Sequence, residues 1–411
     1  MASNSNYKYN LLIFLASPLA GLAIALKNYR CSYSKNIVWL FFIFYGYIMI
    51  SSLVGSDVHR YAELFVSMGK KDIGLLSIFE NFYEDDDSLD IFRSITLIVV
   101  SRFSSNPSVY FAIIGVFFGF FYSRVMWFVL NRMDIRFDFF QTLFFLTLIF
   151  IIPFYDLQFV RFSTATIVFL YFALPYFYEN KKRYIGYSAL SILIHFSFIF
   201  PLAVLIIFSF LPKKLNVFFI IFIISIFFAE VKLSFLTEFM QNNLPAVFQT
   251  KVESYGNEDY ALSIEEESQA LNWYITYRFL LISYINYGLI IYMFVYLRQD
   301  IMKNKMYNQA LCFILFFYSL SNIIAVMPSG SRFVSVSQKF LWVFICLYFF
   351  AAEHKMGFNK FLKYTCVPVL LLYIITGFRY AADTFGITMI IGNPITMFFN
   401  TDEIPIIDFI K

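Results

Sequence analysis

The segment that decides the fold class is DFFQTLFFLTLIFIIPFYD, residues 138–156, in which no charged residue lies between Asp138 and Asp156. A helix of about 17–25 apolar residues is long enough to cross the hydrocarbon core of a bilayer. The apolar residues of this segment fall on every face, whereas a transmembrane β-strand alternates apolar and polar positions. We therefore predict a transmembrane helix here.

The whole chain has the same character. Of its 411 residues 60% are hydrophobic, 22% are aromatic and only 14% are charged, which differs strongly from a soluble globular protein. We predict an all-α polytopic membrane protein that forms a single transmembrane domain over residues 1–411, with about ten to twelve crossings. The predicted spans are 9–27, 36–54, 107–130, 138–156, 158–178, 184–211, 215–229, 271–297, 308–327, 336–352 and 364–381.

One predicted span is unusual in length. Residues 184–211 are too many for one comfortable crossing and too few for two, and His195 and Pro201 lie near their middle. Interrupted backbone is tolerated at membrane depth where protein or a water-filled cavity satisfies its polar groups. We predict a broken or re-entrant pair of helices in this segment.

The charges of the loops predict the orientation, because Lys and Arg are enriched in short cytoplasmic loops. Basic residues occur in the loops at 27–35, 132–136, 181–183, 213–214, 298–305 and 355–363. The intervening segments at about 55–106 and 230–270 are acidic, and we predict that both are extracytoplasmic.

Several functional classes have no support in the sequence. The four cysteines are scattered without the Cys/His spacing of a zinc site or the pattern of a disulfide framework. The chain contains no phosphate-binding glycine loop, and the net charge of +4 reflects its loop residues. We predict no cofactor, no metal and no nucleic-acid partner, and membrane lipid as a contact of the basic loops.

Arginines near the predicted outer ends of spans are the first candidates for chemistry, because an ionisable residue in the membrane is costly. Gln158 precedes Arg161 by three residues and shares its helical face, while Arg278 lies about one turn inside its span. A guanidinium can hold a phosphate or diphosphate with two parallel hydrogen bonds. The alternative is that these arginines only extend to the interface and anchor helix ends.

The segment MPSGSRF, residues 327–333, contains a predicted turn before Arg332. The backbone amides of the turn and Arg332 are a candidate anion cradle, and an ordinary tight turn is the alternative. Arg379 and Asp383 are four residues apart, a spacing that predicts a structural ion pair on one helix.

Two groups are candidate catalytic bases. SSLVGSDVHRYAELF, residues 51–65, brings Asp57, Arg60 and Tyr61 together directly after an apolar run, and Tyr61 lies one helical turn after Asp57. His195 is the one histidine within a predicted span, where it is either structural or able to handle a proton. A base must lie within hydrogen-bond reach of the hydroxyl that it activates, and the sequence leaves Asp57 and His195 both open.

These residues carry a resemblance. The Gly-x-Asp-x-x-x-Tyr-x-x-x-Phe pattern from Gly55 to Phe65, the segment LQFVRFSTATIVFLYFAL, the segment around His195 and the late GSRF at 330–333 resemble the EpsG family of bacterial exopolysaccharide and capsule biosynthesis proteins. That family is similar to the Wzy-type polymerases of O-antigen and capsule. The resemblance spans residues 10–345, with Phe162-Ser163 departing from the small pair common after the arginine.

The resemblance implies a membrane glycosyltransferase of the bacterial cytoplasmic membrane, with an outward-facing active site and, by analogy, a GT-C-like fold. Its substrates would be oligosaccharides linked to undecaprenyl diphosphate, and a flippase and a chain-length regulator of the same pathway are implied partners. Catalytic roles would fall on Asp57 or His195, and substrate binding on Arg161, Arg332, Arg278, Gln158, Tyr61 and Arg60.

Three other functions stay open. A flippase of lipid-linked oligosaccharide would also have many spans and a cationic cavity, with charges in both leaflets. A membrane O-acyltransferase would use an embedded histidine with a polar partner and an acyl donor from the cytoplasmic side. A structural subunit of a glycan export complex would have no activity of its own.

Overall fold

The computed structural model describes residues 4–50, 56–70, 90–134, 138–227, 273–325, 327, 329–351, 360–399 and 404–409. Within these ranges all regular elements are helices, and β-structure is limited to two isolated bridges. The predicted all-α class is confirmed.

The first half of the chain contributes helices on both sides of the acidic segment. They are α1 (Asn4–Ala16), α2 (Pro18–Lys27), α3 (Ser34–Ile48), α4 (Asp57–Lys70), α5 (Ile91–Ser101), α6 (Pro107–Leu130), α7 (Phe139–Ile151), α8 (Phe162–Tyr178), α9 (Tyr184–Ser188) and α10 (Leu190–Ile194).

The second half begins after the break at His195. Its helices are α11 (Ile199–Phe210), α12 (Leu215–Ile226), α13 (Trp273–Tyr296), α14 (Arg298–Lys303), α15 (Lys305–Ile324), α16 (Ser331–Phe349), α17 (Lys360–Ala381) and α18 (Thr388–Ile391). Short 3₁₀ turns occur at Phe154–Gln158, Phe196–Phe198, Thr396–Phe399 and Ile406–Phe409.

Six helices of the described chain are long and apolar enough to cross a membrane: α6, α7 with its 3₁₀ extension to Gln158, α13, α15, α16 and α17 from Tyr364. The protein is therefore a multi-pass membrane protein. The higher count predicted from the sequence includes apolar helices that are shorter in the structure, such as the 17-residue α8 and the 12-residue α11 and α12.

Glycines set the closest helix contact, between α3 and α6. A Cβ on Gly46 would lie 2.3 Å from the carbonyl oxygen of Phe111, and one on Gly115 would lie 2.3 Å from that of Phe42. Small residues let helices approach closely in membranes, where contact between backbones and dispersion attraction drive association. The backbones of the two helices are consequently in direct contact at these positions.

Helix α16 lies at the centre of the bundle and packs against α7 and α15. Trp342 on α16 is fully buried and its indole N–H donates to Asn286 of α13 at 2.8 Å. The buried hydrogen bond gives the large ring a single orientation, since an unpaired indole N–H in an apolar interior is costly.

The predicted broken pair at 184–211 is present. Helices α9 and α10 end at His195, which adopts an extended conformation with φ −146° and ψ 116°, and the chain returns as α11. The helix is interrupted at His195, and the side chain of this residue faces the cavity described below.

The described parts of the basic loops lie at one end of the molecule, here named the basic end. Trp127 donates to the carbonyl of Tyr29, Arg132 pairs with Glu179, and the amide of Asp134 donates to Phe350. Further contacts at this end join Tyr307 to the carbonyl of Leu347 at 3.2 Å and Asn308 to that of Lys213 at 3.1 Å. The grouping agrees with the predicted common location of the basic loops.

The acidic segment 55–106 is helical over most of its described residues, 56–70 and 90–106. It contains α4 and α5, which pack against each other and against α6. The second acidic segment, 230–270, lies outside the described residues, as do Gly55 and Pro328.

Candidate functional site

A cavity of about 720 Å³ opens at the end of the bundle opposite to the basic end. Helix directions establish this position, because α8 and α16 both begin at the cavity and finish at the basic end. Five cationic side chains line it: Arg60, Arg161, Arg278, Arg332 and Lys339. Asp57, Asp156, Tyr61 and His195 also face it, so most residues predicted from sequence are brought together.

Asp90 organises one side of the cavity. Its carboxylate accepts from Arg161 Nη1 at 2.7 Å and from the amide of Phe196 at 2.8 Å, and lies 3.1 Å from Nδ1 of His195. Arg161 Nε donates to the hydroxyl of Tyr61 at 2.7 Å. We name Tyr61, Asp90, Arg161 and His195 the His195 group.

Asp90 stays ionised because its partners outweigh its burial. Its residue is only 4% exposed, which by itself would raise the pKa, but His195, the amide of Phe196 and Arg161 hold the pKa at about 2. Asp90 directly precedes α5 and lies outside the six spanning helices. The carboxylate can therefore orient the imidazole and balance the charge of Arg161 at neutral pH.

The position of His195 suits proton transfer. When Nδ1 carries the proton and donates to Asp90, Nε2 keeps its lone pair and can accept a proton from a ligand. The ring packs edge-on against Phe162 with centroids 5.8 Å apart, and the Phe162 ring also lies 6.0 Å from the guanidinium carbon of Arg332. Two of the predicted functional residues thus lie on either side of one aromatic ring.

A second set of cavity-lining residues comes from α13, α16, α17 and the 3₁₀ turn Phe154–Gln158. We name Tyr155, Asp156, Arg278, Lys339 and Tyr373 the Arg278 group. Arg278 is 7% exposed, donates to the carbonyl of Phe150 at 3.2 Å and lies 4.4 Å from the ring centroid of Tyr373. Its Nε is buried without a hydrogen-bond partner. Among the described residues no acid pairs with this arginine.

Lys339 supplies the second cation of the Arg278 group. Its Nζ contacts Asp156 at 2.8 Å, with both side chains largely buried. Lys339 lies seven residues after Arg332 on α16, which places both side chains on one face about 10 Å apart along the helix axis. Asp156 balances one of the two charges, so this group keeps a net positive charge.

Arg332 lines the cavity with an exposed side chain and forms no ion pair within the described part of the chain. Three amides of the predicted cradle beside it are already engaged. The amides of Gly330, Arg332 and Phe333 donate to carbonyls of the same turn, at 2.9, 3.3 and 3.0 Å, so they are not available to an anion. Ser329 in this turn has φ 62°, and Ser331 and Arg332 both line the cavity.

Other predicted residues have different partners from those expected. Arg60 pairs with Asp57 at 2.7 Å in an exposed contact, and the hydroxyl of Tyr61 bonds to Arg161 rather than to Asp57. Gln158 does not line the cavity and donates to the hydroxyl of Tyr380 at 3.4 Å, so it supports the wall from behind. The predicted pair of Arg379 and Asp383 is present at 2.7 Å.

The sequence interpretation missed Asp90 and Lys339. Asp90 ends the run EDDDSLD, which reads as a solvated acidic segment by composition, although its position directly before an apolar helix was a usable signal. Lys339 is an ionisable residue well inside an apolar span, and that fact alone marks a functional candidate. The described residues contain no cluster of three or more His, Cys, Asp or Glu able to hold a metal ion.

Comparisons with known proteins identify no relative: no protein-family model, no curated protein and no solved structure matches the chain.

Proposed function

We propose that the protein is a membrane glycosyltransferase that polymerises lipid-linked oligosaccharide repeat units on the outer face of the bacterial cytoplasmic membrane. The observation that carries the proposal is Arg278, a buried cation that lines the cavity and has no acid partner among the described residues. A buried charge without a counter-ion is costly, so the site is complete only with an anionic ligand.

The remaining charges favour an anion that carries more than one negative charge. Arg332 is a second cation without an acid partner in the described chain. Lys339 is a third cation, and it forms an ion pair with Asp156. A diphosphate matches several donors at once, because guanidinium groups bind phosphate oxygens with parallel hydrogen bonds. In a membrane protein a lipid diphosphate is the natural source of such a group.

The location of the cavity supports the outer face. It opens opposite to the basic end, and basic loops face the cytoplasm in most membrane proteins. A lipid-linked substrate in the outer leaflet would bring its diphosphate to this depth and leave its chain in the bilayer.

The proposed reaction begins with the acceptor. A sugar hydroxyl of one lipid-linked unit attacks the anomeric carbon of the sugar attached to the other lipid diphosphate. A new glycosidic C–O bond forms, the bond to the diphosphate oxygen breaks, and the hydroxyl proton passes to Nε2 of His195. Asp90 stabilises the resulting imidazolium, and the arginines neutralise the departing diphosphate.

This assignment chooses between the two bases left open by the sequence. Asp57 is half-exposed and already neutralised by Arg60, whereas His195 is held by a buried carboxylate at the cavity wall. Arg161 changes role as well. It is engaged by Asp90 and Tyr61, so we assign it to positioning the His195 group and assign diphosphate binding to Arg278 and Arg332.

The test is the glycan profile of cells that lack the gene and are complemented with wild type, His195→Ala, Arg278→Gln or the control Lys303→Gln. We expect long chains to disappear in the deletion and both site variants, while single repeat units still reach the outer surface. Loss of a general base lowers the rate about 10²–10⁴-fold. Lys303 is exposed at the basic end, and its variant should be indistinguishable from wild type.

The same gel separates the rival functions. Repeat units trapped on the cytoplasmic leaflet would indicate a flippase and contradict the proposal. A normal ladder with altered acetylation would indicate an O-acyltransferase, which the Asp90–His195 contact also favours because that chemistry needs a polar partner for its histidine. An unchanged glycan in both site variants would contradict any catalytic role of the cavity.

A further inference from the structure

The chain beyond the last spanning helix has an apolar surface that the cavity chemistry does not use. After α17 the described residues 382–399 fold into α18, a tight turn and a 3₁₀ turn at the cavity end. No charged residue occurs between Asp383 and Asp402 in the sequence. The large apolar side chains exposed by at least 40% in this segment are Ile387, Ile390, Ile391, Ile395, Phe398 and Phe399.

The other side of the segment is fastened to the bundle at the end of α3. The hydroxyls of Tyr45 and Thr384 are 2.9 Å apart, Phe385 forms an isolated bridge with Met49, and the rings of Tyr47 and Phe398 are 5.4 Å apart. The segment is therefore a fixed part of the fold with one packed side and one apolar exposed side.

The exposed side continues the lipid-facing strip of α17. Leu371, Ile375 and Phe378 are exposed at helical spacing along that spanning helix, and the chain passes from them through Arg379 and Asp383 into the charge-free segment. The Arg379–Asp383 pair is the charged feature of the chain between the exposed apolar side chains of α17 and those of the segment, and apolar exposure on both sides of it indicates the same surroundings for both.

The backbone of the segment is prepared for a medium with little water. The amides of Ile391 and Gly392 donate to carbonyls one turn back, and the side chain of Asn393 accepts from the amides of Ile395 and Thr396 at 2.9 and 3.0 Å. Unpaired backbone groups are expensive near hydrocarbon, and this turn satisfies them internally.

We propose that residues 384–399 form an interfacial segment, whose exposed apolar side lies at the boundary of lipid headgroups and acyl chains in the leaflet that borders the cavity. An amphipathic segment of this kind binds lipid through apolar area, and basic residues would add attraction to anionic lipid. Since this segment has no basic residue, its insertion should not depend on anionic lipid. The segment holds the cavity mouth at the depth of the headgroups, whatever reaction occurs there.

The test uses spin labels on the full-length protein in nanodiscs. Ile391→Cys and Phe399→Cys are each made with Cys31→Ser, because Cys31 is half-exposed whereas Cys312, Cys346 and Cys366 are buried. Phe378→Cys on α17 is the lipid-facing reference and Lys303→Cys the water-facing reference. Collisions with oxygen and with a water-soluble nickel chelate are measured for each label.

We expect collisions with oxygen to outnumber those with the nickel chelate for the labels at positions 391 and 399, as for the label at 378. The membrane depths derived from these collision rates should lie near the headgroups and should be the same in phosphatidylcholine and phosphatidylglycerol. Dominant nickel collisions, as at 303, would overturn the proposal. Protection from both reagents with spin–spin coupling between copies would also overturn it, and would indicate a dimer contact instead. Neither reading depends on catalytic activity, so the result is independent of the proposed function.

Discussion

The His195 group and the Arg278 group line the same cavity, but they treat buried positive charge in opposite ways. In the first, Arg161 is matched by Asp90 and the hydroxyl of Tyr61. In the second, Arg278 contacts the carbonyl of Phe150 and the side chains of Tyr155 and Tyr373, with no acid partner within the described residues. The first group is complete before any ligand arrives, whereas the second is completed by one.

This difference separates two tasks. A proton acceptor needs a fixed orientation and a stable partner charge, which Asp90 provides by contacting both the imidazole and the guanidinium. A leaving-group site needs charge that is available to the ligand, which an arginine with neutral contacts provides. Variants that alter one group at a time should therefore differ in stability as well as in activity.

The largest effect is expected for Asp90→Asn. The change leaves Arg161 with no acid partner in its group and replaces the charged acceptor that orients His195 by a neutral amide. Breaking a buried pair from one side costs about 3–5 kcal/mol, so the free energy of unfolding should fall by a similar amount and glycan polymerisation should be lost. Denaturant or thermal unfolding in detergent, with a glycan gel, measures both. Normal stability in this variant would mean that Asp90 does not balance Arg161.

A matched pair of substitutions, Arg161→Met and Arg278→Met, sharpens the comparison. Removing Arg161 leaves Asp90 with His195 and the amide of Phe196 and should destabilise the protein by about 2–4 kcal/mol. Removing Arg278 leaves no acid unpaired, and the carbonyl of Phe150 keeps the hydroxyl of Tyr373 at 3.1 Å. The free energy of unfolding of Arg278→Met should be within about 1 kcal/mol of the wild-type value, or higher. The variant should nevertheless make no long glycan.

Equal destabilisation by the two substitutions would contradict the distinction between the groups. Binding offers a second readout, since pyrophosphate should raise the thermal midpoint of wild type and of Arg161→Lys but not of Arg278→Met. A response in Arg278→Met equal to that of wild type would move the anion site elsewhere in the cavity.

The sequence predicts interactions between residues that are close along the chain, and it predicts far fewer of those between residues that are distant along it. The apolar runs predicted the helical membrane class, and the anomalous length of 184–211 predicted its break. Arg379 and Asp383 were paired correctly because four residues make one helical turn. Each of these predictions uses only neighbours along the chain.

Asp90 illustrates the opposite case. Its partners are Arg161 and His195, which are 71 and 105 residues away, and no spacing rule connects them. Arg161 was consequently assigned to diphosphate, although the fold gives it an acid. The burial of Arg278 is likewise a result of tertiary packing, which a single sequence does not encode in any local pattern.

The pH dependence of stability gives a smaller effect from the same carboxylate. The pKa of Asp90 is held at about 2 in the folded protein, below the ordinary value near 3.9 of an unfolded chain. The stabilisation, roughly 2–3 kcal/mol, is therefore fully present above about pH 4 and is lost as the pH falls toward 2. The free energy of unfolding of wild type should exceed that of Asp90→Asn by a constant margin from pH 8 to 5. This margin should narrow below pH 4. A margin that already shrinks between pH 7 and 5 would contradict the assigned ionisation.

The smallest effect is expected for Asp57→Asn, which sharpens the choice of base. The Asp57 and Arg60 side chains are 35% and 68% exposed, and an exposed ion pair contributes about 0–1 kcal/mol. Stability should be nearly unchanged, and because His195 takes the proton, long glycan should still form at a rate within a few-fold of wild type. The same cells carrying His195→Ala provide the contrast on one gel. If Asp57→Asn abolished long chains while His195→Ala kept them, the base would be Asp57, and the buried network around Asp90 would have a structural role only.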